Sequence, residues 1–268
     1  MTEALPDKQR KRFMQAKLLL TAAITLMLLT VSVAHAEEKK PTVAVALYDG
    51  PGAGGDGPKM LEEKFHADTE FRITRIKAEE IRAGKLKNFK VLIVPGGTGS
   101  NEGNALGEDG REQVRKFVNE GGVYVGICAG CFLASCQYKW SLHILPVTVV
   151  DTPNWERGRG VLKLELTGDG KEWTGRKEAD VKSIYHNGPV LKMMPDAKEK
   201  VIPLAVYREE MTRKGAKEGL MAGTPAMAAA RYGKGWAIGV SPHPEQTADV
   251  KDLVPNVIRK ALTDAIMR

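Results

Sequence analysis

Three strand-length stretches are apolar at nearly every position: TVAVALY (42–48), the VLIV of FKVLIVPGG (89–97) and GVYVGIC (122–128). A strand with one wet face alternates apolar and polar residues, so runs without that alternation predict strands covered on both sides. Between them lie helix-like segments. Residues 57–67 form one, KAEEIRAG (77–84) another, and EDGREQVRKFVNE (108–120) a third, with Val114, Phe117 and Val118 on one face and Gly121-Gly122 closing it. FRITRIK (71–77) adds a further strand, and AGCFLASC (129–136) opens a helix directly after the third apolar run. Such βαβα alternation predicts an α/β domain with a mostly parallel sheet and helices on both faces.

The second half is less regular. VLKLELT (161–167) alternates like a strand, KSIYHNGPVL (182–191) and VIPLAVY (201–207) read as further strands, and AMAAARYGKGWAIGVS (226–241) reads as a hairpin turning at Gly233-Lys234-Gly235. A helix over 254–267 closes the chain. No internal repeat or second composition regime follows residue 41, so 42–268 is expected to form one domain.

Residues 1–36 differ. A basic start (Lys8, Arg10, Lys11, Arg12, Lys17) leads into LLLTAAITLMLLTVSVA and then Ala34-His35-Ala36, the layout of a secretory signal peptide with cleavage after Ala36 and a charged linker at 37–41. The apolar run is shorter than the roughly 20 residues a spanning helix needs, so an anchor is expected only if the leader is retained. Met14 is an alternative start with the same consequence, an exported domain in the periplasm or secreted. Losing 1–36 removes five Lys/Arg and two Asp/Glu, lowering the formal net charge from +7 to +4. The remaining cations, such as Lys85, Lys87 and Lys90 or Arg213, Lys214 and Lys217, lack interleaved aromatics, so no nucleic-acid partner is expected.

Gly126-Ile127-Cys128-Ala129-Gly130 sits where strand gives way to helix. Gly-x-nucleophile-x-Gly at such a turn is a nucleophile elbow, here with a thiol whose thiolate the following helix N-terminus favours. A thiol nucleophile needs a base and a group to orient that base. His35 leaves with the leader; of His66, His143, His186 and His243, only His243 stands in a constrained loop after an apolar strand, in Ser-Pro-His-Pro-Glu, where Glu245 can fix its tautomer. The turn Pro95-Gly96-Gly97-Thr98-Gly99 brings backbone N–H groups close to a substrate oxygen, and Gly97 with Ala129 is the expected oxyanion pair.

Strand-PGG, strand-Gly-x-Cys-x-Gly and His-Pro-Glu, in this order, resemble the class I glutamine amidotransferase-like superfamily. LYDGPGAGG, VLIVPGGTG, GICAG and YHNGP are most similar to the domain at the N-terminus of some biotin-protein ligases. The resemblance covers about residues 42–247 and implies a flavodoxin-like three-layer sandwich. It also implies a Cys128–His243–Glu245 triad, oxyanion donors at Gly97 and Ala129, and a substrate wall including Gly96, Tyr185, His186 and Asn187. Ala129 stands where the intracellular-protease branch has His. No synthetase or ligase catalytic domain accompanies these motifs, so hydrolysis of a small-molecule carboxamide or γ-glutamyl-type amide is expected, without a cofactor.

Two alternatives stay open at this point: a non-catalytic binding or sensing module, and a thiol-redox protein using Cys128-x-x-Cys131, in which a disulfide would silence the nucleophile. A metal site is not expected, because Cys128, Cys131 and Cys136 cannot converge as a tetrahedral clip from one helix.

Overall fold

Strand β1 (Val43–Tyr48) sends Val45 and Leu47 into one apolar core and Ala46 and Tyr48 into another, all fully buried. The computed structural model describes residues 6–8, 42–150, 152–213 and 217–266. The leader and linker expected over 1–41 lie outside the described residues except for 6–8. The chain divides after Pro41, and the unit from Thr42 onward is the one described below.

Helix α1 (Gly57–His66), β2 (Phe71–Ile76), α2 (Ala78–Arg82), β3 (Val91–Val94), α3 (Gly99–Asn119), β4 (Val123–Ile127) and α4 (Ala129–Ala134) follow in the expected alternation. In β3 and β4 the same two-sided division recurs: Val91, Ile93, Val123 and Val125 face one core, Leu92, Val94 and Tyr124 the other. Each buried Val, Leu or Ile contributes roughly 1.5–3 kcal/mol, so this pattern fixes the strands between two helical layers. Helix α3 begins at Gly99, well before the expected start at Glu108, and breaks at Gly107 (φ 64°). Its glycine-rich first half has poor intrinsic helicity; tertiary packing holds it, since a Cβ on Gly103 would lie 2.3 Å from the Trp140 carbonyl oxygen.

The rest comprises β5 (Val147–Val149), β6 (Arg159–Leu166), α5 (Gly168–Thr174), β7 (Asp180–His186), β8 (Leu191–Met193), β9 (Ile202–Tyr207), β10 (Pro225–Tyr232), β11 (Gly235–Val240) and α6 (Leu253–Ile266). Among the described residues, nine strands form one sheet in the order β2-β1-β3-β4-β11-β10-β9-β6-β7, and β5 pairs with β8 separately. The first five strands are parallel, the flavodoxin-like centre of the molecule. From β11 outward every pairing is antiparallel. The two-residue turn at Gly233-Lys234 forces the change, because so short a link cannot make a parallel crossover.

The antiparallel half curls. Flat, β7 would stand about 19 Å from β11, four strand spacings away. Instead the His243 N–H, just beyond the end of β11, donates to the Ile184 carbonyl in β7 at 2.7 Å. The far edge therefore returns over the carboxyl ends of the parallel strands.

Candidate active site

Between β4 and α4 the chain turns so tightly that two glycines become obligatory. A Cβ on Gly126 would lie 2.2 Å from the Gly130 carbonyl oxygen, and one on Gly130 2.2 Å from that of Val94. Cys128, between them, has φ 49° and ψ −99°, a strained conformation for a side-chain-bearing residue. It is held there from both sides, as its N–H donates to Val240 O and the Gly130 N–H to Pro95 O. The result is the expected elbow, with Cys128 only 7% exposed at the base of a cleft. Helix α4 has six residues, so its dipole at the sulfur is weaker than that of a full-length helix.

His243 reaches this cleft from the other side. Its Nδ1–H donates to Glu245 Oε1 at 2.7 Å, and Gln246 Nε2 donates to the same oxygen at 3.2 Å. The His243 Nε2 atom is buried with no hydrogen-bond partner. Burial alone weakens the imidazole's hold on a proton, but the Cys128 sulfur and the Glu245 carboxylate outweigh it and push the pKa up to about 10. The Cys128 thiol donates instead to the His186 carbonyl, at 3.4 Å. His186 also lines the cleft, 6.1 Å from His243 ring to ring; burial first, then Arg159 and His243, lower its pKa and favour the neutral imidazole.

Gly97 has φ 151°, and a Cβ there would collide with the Gly52 carbonyl oxygen at 1.8 Å. The bridge between Ala53 and Gly97 explains the contact: Gly54 N–H donates to Gly96 O and Thr98 N–H to Gly52 O. This exchange leaves the Gly97 N–H without a partner among the described residues. The Ala129 N–H is likewise unengaged there, and both residues line the cleft.

Of the residues expected on the substrate wall, Gly96, His186 and Asn187 line the cleft. Tyr185 does not. It is fully buried, donates to Gly188 O at 2.7 Å and packs edge-on against Tyr207, because alternation along β7 turns it into the core. Asn187, at φ 54°, accepts from Gly158 N–H through Oδ1 at 2.8 Å, so it shapes the wall as well as lining it.

The two cysteines of the Cys128-x-x-Cys131 motif face different cores. Cys131 belongs to the opposite core, against Gly239 and Leu145, whereas Cys128 belongs to the first; all three cysteines are free, and burial pushes the Cys131 thiol up strongly. Among the described residues no cluster of His, Cys, Asp and Glu could hold a metal. The sequence reading missed an aromatic and charged wall: Tyr138 stacked on Trp140 at 4.5 Å and 6°, with Trp155 and Arg159 also on the cleft. The signal was WERGR (155–159), aromatic and charged without strand or helix periodicity after Pro153.

Residues 43–154 match the family model described as biotin-protein ligase, N terminal. No curated protein matches the sequence. Among solved structures, a ThuA-like protein from Bacteroides uniformis aligns with a TM-score of 0.58 at 13% identity, over 87% of this chain and 95% of its own. A cytoplasmic protein from Salmonella typhimurium LT2 gives 0.54 at 13% identity, over 82% and 99%. A β-galactosidase from Bacillus circulans gives 0.52 at 15% identity over 82% of this chain, which spans 31% of that enzyme's length. At such identities the likeness is one of fold.

Proposed function

We propose, from the premise that residues 43–154 belong to the biotin-protein ligase N-terminal family on a glutamine amidotransferase-like fold, that this chain is a cysteine hydrolase. It cleaves a carboxamide or γ-glutamyl-type amide through a thioester. The observation that carries the reading is convergence: a strained elbow cysteine, a His–Glu pair and two unengaged N–H groups share one cleft.

In the proposed reaction the Cys128 sulfur, its proton held by His243, attacks the amide carbonyl carbon. The carbonyl oxygen takes the negative charge between the Gly97 and Ala129 N–H groups. His243 gives its Nε2 proton to the leaving nitrogen, the C–N bond breaks and the amine departs. Water then attacks the thioester, His243 takes a proton from it, and the carboxylic acid leaves as the sulfur is released. Glu245 holds the imidazole throughout. Cys128→Ala is expected to abolish both hydrolysis and labelling by an electrophilic glutamine analogue; labelling that persists in this variant overturns the assignment of Cys128.

One contact favours a second reading, a non-catalytic binding module: the Cys128 thiol donates to His186 O and not to His243. In that reading Cys128 is only a wall of the cleft. Wild-type protein that ignores the electrophile, while Cys128→Ala binds the same amides unchanged, selects it.

The proposal extends to location. Residues 1–36 act as a leader and the domain works in the periplasm or outside the cell, supported by the basic start, the apolar run and Ala34-His35-Ala36. No helix among the described residues is long and apolar enough to cross a membrane. Mature protein beginning at Glu37 is the expected result of N-terminal sequencing, and an intact leader on the exported protein overturns cleavage.

A further inference from the structure

The cleft has a volume of about 600 Å³, within the range of roughly 300–1,000 Å³ that holds a drug-sized ligand and well beyond what a bare carboxamide fills. Its charged groups are nearly all accounted for. His243 is bound to Glu245, and Glu156 on the rim pairs with Arg213. Arg159 is the exception: its exposed guanidinium has no hydrogen-bond or ion-pair partner among the described residues, and its charge is felt at His186.

Four residues earlier, Trp155 lies 47% exposed on the same cleft, an apolar ring left in water. The residue midway between them is buried. Arg157, 1% exposed, donates to Glu210 at 2.8 Å, to Met211 O at 3.1 Å and to Lys217 O at 2.9 Å. Gly158 and Asn187 clamp the same segment through Gly158 N–H to Asn187 Oδ1 and Asn187 N–H to Gly158 O. A surface strand of chain anchored this firmly holds its exposed side chains in place before any ligand arrives, which lowers the ordering cost of binding.

We propose that residues 155–159 form a recognition arm selecting an anionic amide, with the substrate's carboxylate at Arg159 and a planar group against Trp155 while the scissile carbonyl lies at Cys128. The placement of the scissile bond rests on the hydrolase reading above; the recognition does not. A guanidinium suits a carboxylate because it offers paired donors in one plane, and an indole face suits a flat unsaturated group. Arm residues 155–159 fall just outside the family-matched segment 43–154.

The test uses glutaric acid mono-4-nitroanilide, its methyl ester, and glutaric acid monobutylamide. Wild-type protein is expected to hydrolyse the free acid about tenfold better than the ester in kcat/KM, as one charge-assisted contact implies, and to show a lower KM for the anilide than for the butylamide, leaving-group reactivity being confined to kcat. Arg159→Gln removes the acid-over-ester preference by raising KM for the acid more than for the ester. Trp155→Ala removes the anilide's advantage in KM. Both side chains are exposed, so both variants are expected to keep the wild-type circular dichroism spectrum. Calorimetric binding of glutaric acid monoanilide to Cys128→Ala, with and without Arg159→Gln, separates recognition from chemistry. Arg159-dependent binding without any hydrolysis by wild type keeps the arm and overturns the hydrolase. Cys128-dependent hydrolysis whose preferences survive both arm variants overturns the arm and keeps the hydrolase, and loss of both binding and hydrolysis in wild type overturns both.

Discussion

The two halves of the sheet divide the labour of the site. Parallel strands β3, β4 and β11 are buried on both faces and deliver Gly96, Gly97, Cys128 and His243 from their carboxyl ends. Antiparallel strands β6 and β7 bury one face only, with Leu162, Leu164 and Leu166 inside and Val161 outside, and deliver Arg159, His186 and Asn187. A strand packed on both sides cannot shift without disturbing two cores. A strand with one wet face can change its outer and terminal residues at little cost. Chemistry on the first half and selection on the second is the division this difference in burial favours.

The largest expected effect lies in the parallel half. Cys128→Ala should lower kcat by about 10⁴ or more, since triad members act as a unit, without raising KM; steady-state kinetics on the amide panel checks it. A kcat retained within tenfold would falsify the nucleophile and with it the division. Next comes Gly96→Ala. A Cβ there would lie 2.7 Å from His243 Cε1, so the imidazole must move, and displacement of that order costs about 100-fold in kcat. The overpacking should cost only about 1–3 kcal/mol of stability. Measuring kcat beside the urea midpoint distinguishes a displaced base from an unfolded domain.

The same difference in burial decides what was legible in the sequence. TVAVALY, VLIV and GVYVGIC declare two-sided strands because every position must be apolar, and the glycines around Cys128 declare an elbow because only they fit between Val94 O and Gly130 O. The His243–Glu245 pair was legible because its two members are close in sequence. Tyr185 was misplaced because YHNGP carries no sign of which alternate residue of β7 turns inward. The Arg157 anchor was hidden for a related reason: its partners Glu210, Met211 and Lys217 lie more than 50 residues away. Glu102 was illegible altogether. It occupies a polar helical stretch, yet it is fully buried with both oxygens unpartnered among the described residues, and burial drives its pKa well up.

In the antiparallel half the effects shrink and change kind. Asn187→Ala loses the hydrogen bond to Gly158 N–H and places a residue ill suited to φ 54° at the end of β7. The expected cost is about 1–2 kcal/mol of stability, with a raised KM and a nearly unchanged kcat. Asn187→Gly, which accepts the backbone angle but not the hydrogen bond, should recover part of the stability. A loss of kcat matching that of Gly96→Ala would show that β7 shares in the chemistry, and the two halves could no longer be assigned separate tasks.

The last effect concerns the join, where His243 follows β11 and bonds to β7 through Ile184 O. Its folded pKa of about 10 exceeds the usual 6.5 despite burial, because the Cys128 sulfur and Glu245 favour the charged ring. A proton held more tightly in the folded state stabilises it; that contribution is complete below about pH 6.5 and is lost as pH rises through about 10. The wild-type urea midpoint should therefore fall between about pH 6.5 and pH 10. Removing the sulfur in Cys128→Ala leaves burial opposed by Glu245 alone, so the imidazole pKa drops and this part of the pH dependence flattens. Titration of the His243 ring resonances in both proteins reads the shift directly. A wild-type ring that titrates near 6.5, and stays there in the variant, would mean that nothing electrostatic couples Cys128 to the histidine that the curled half of the sheet helps to hold.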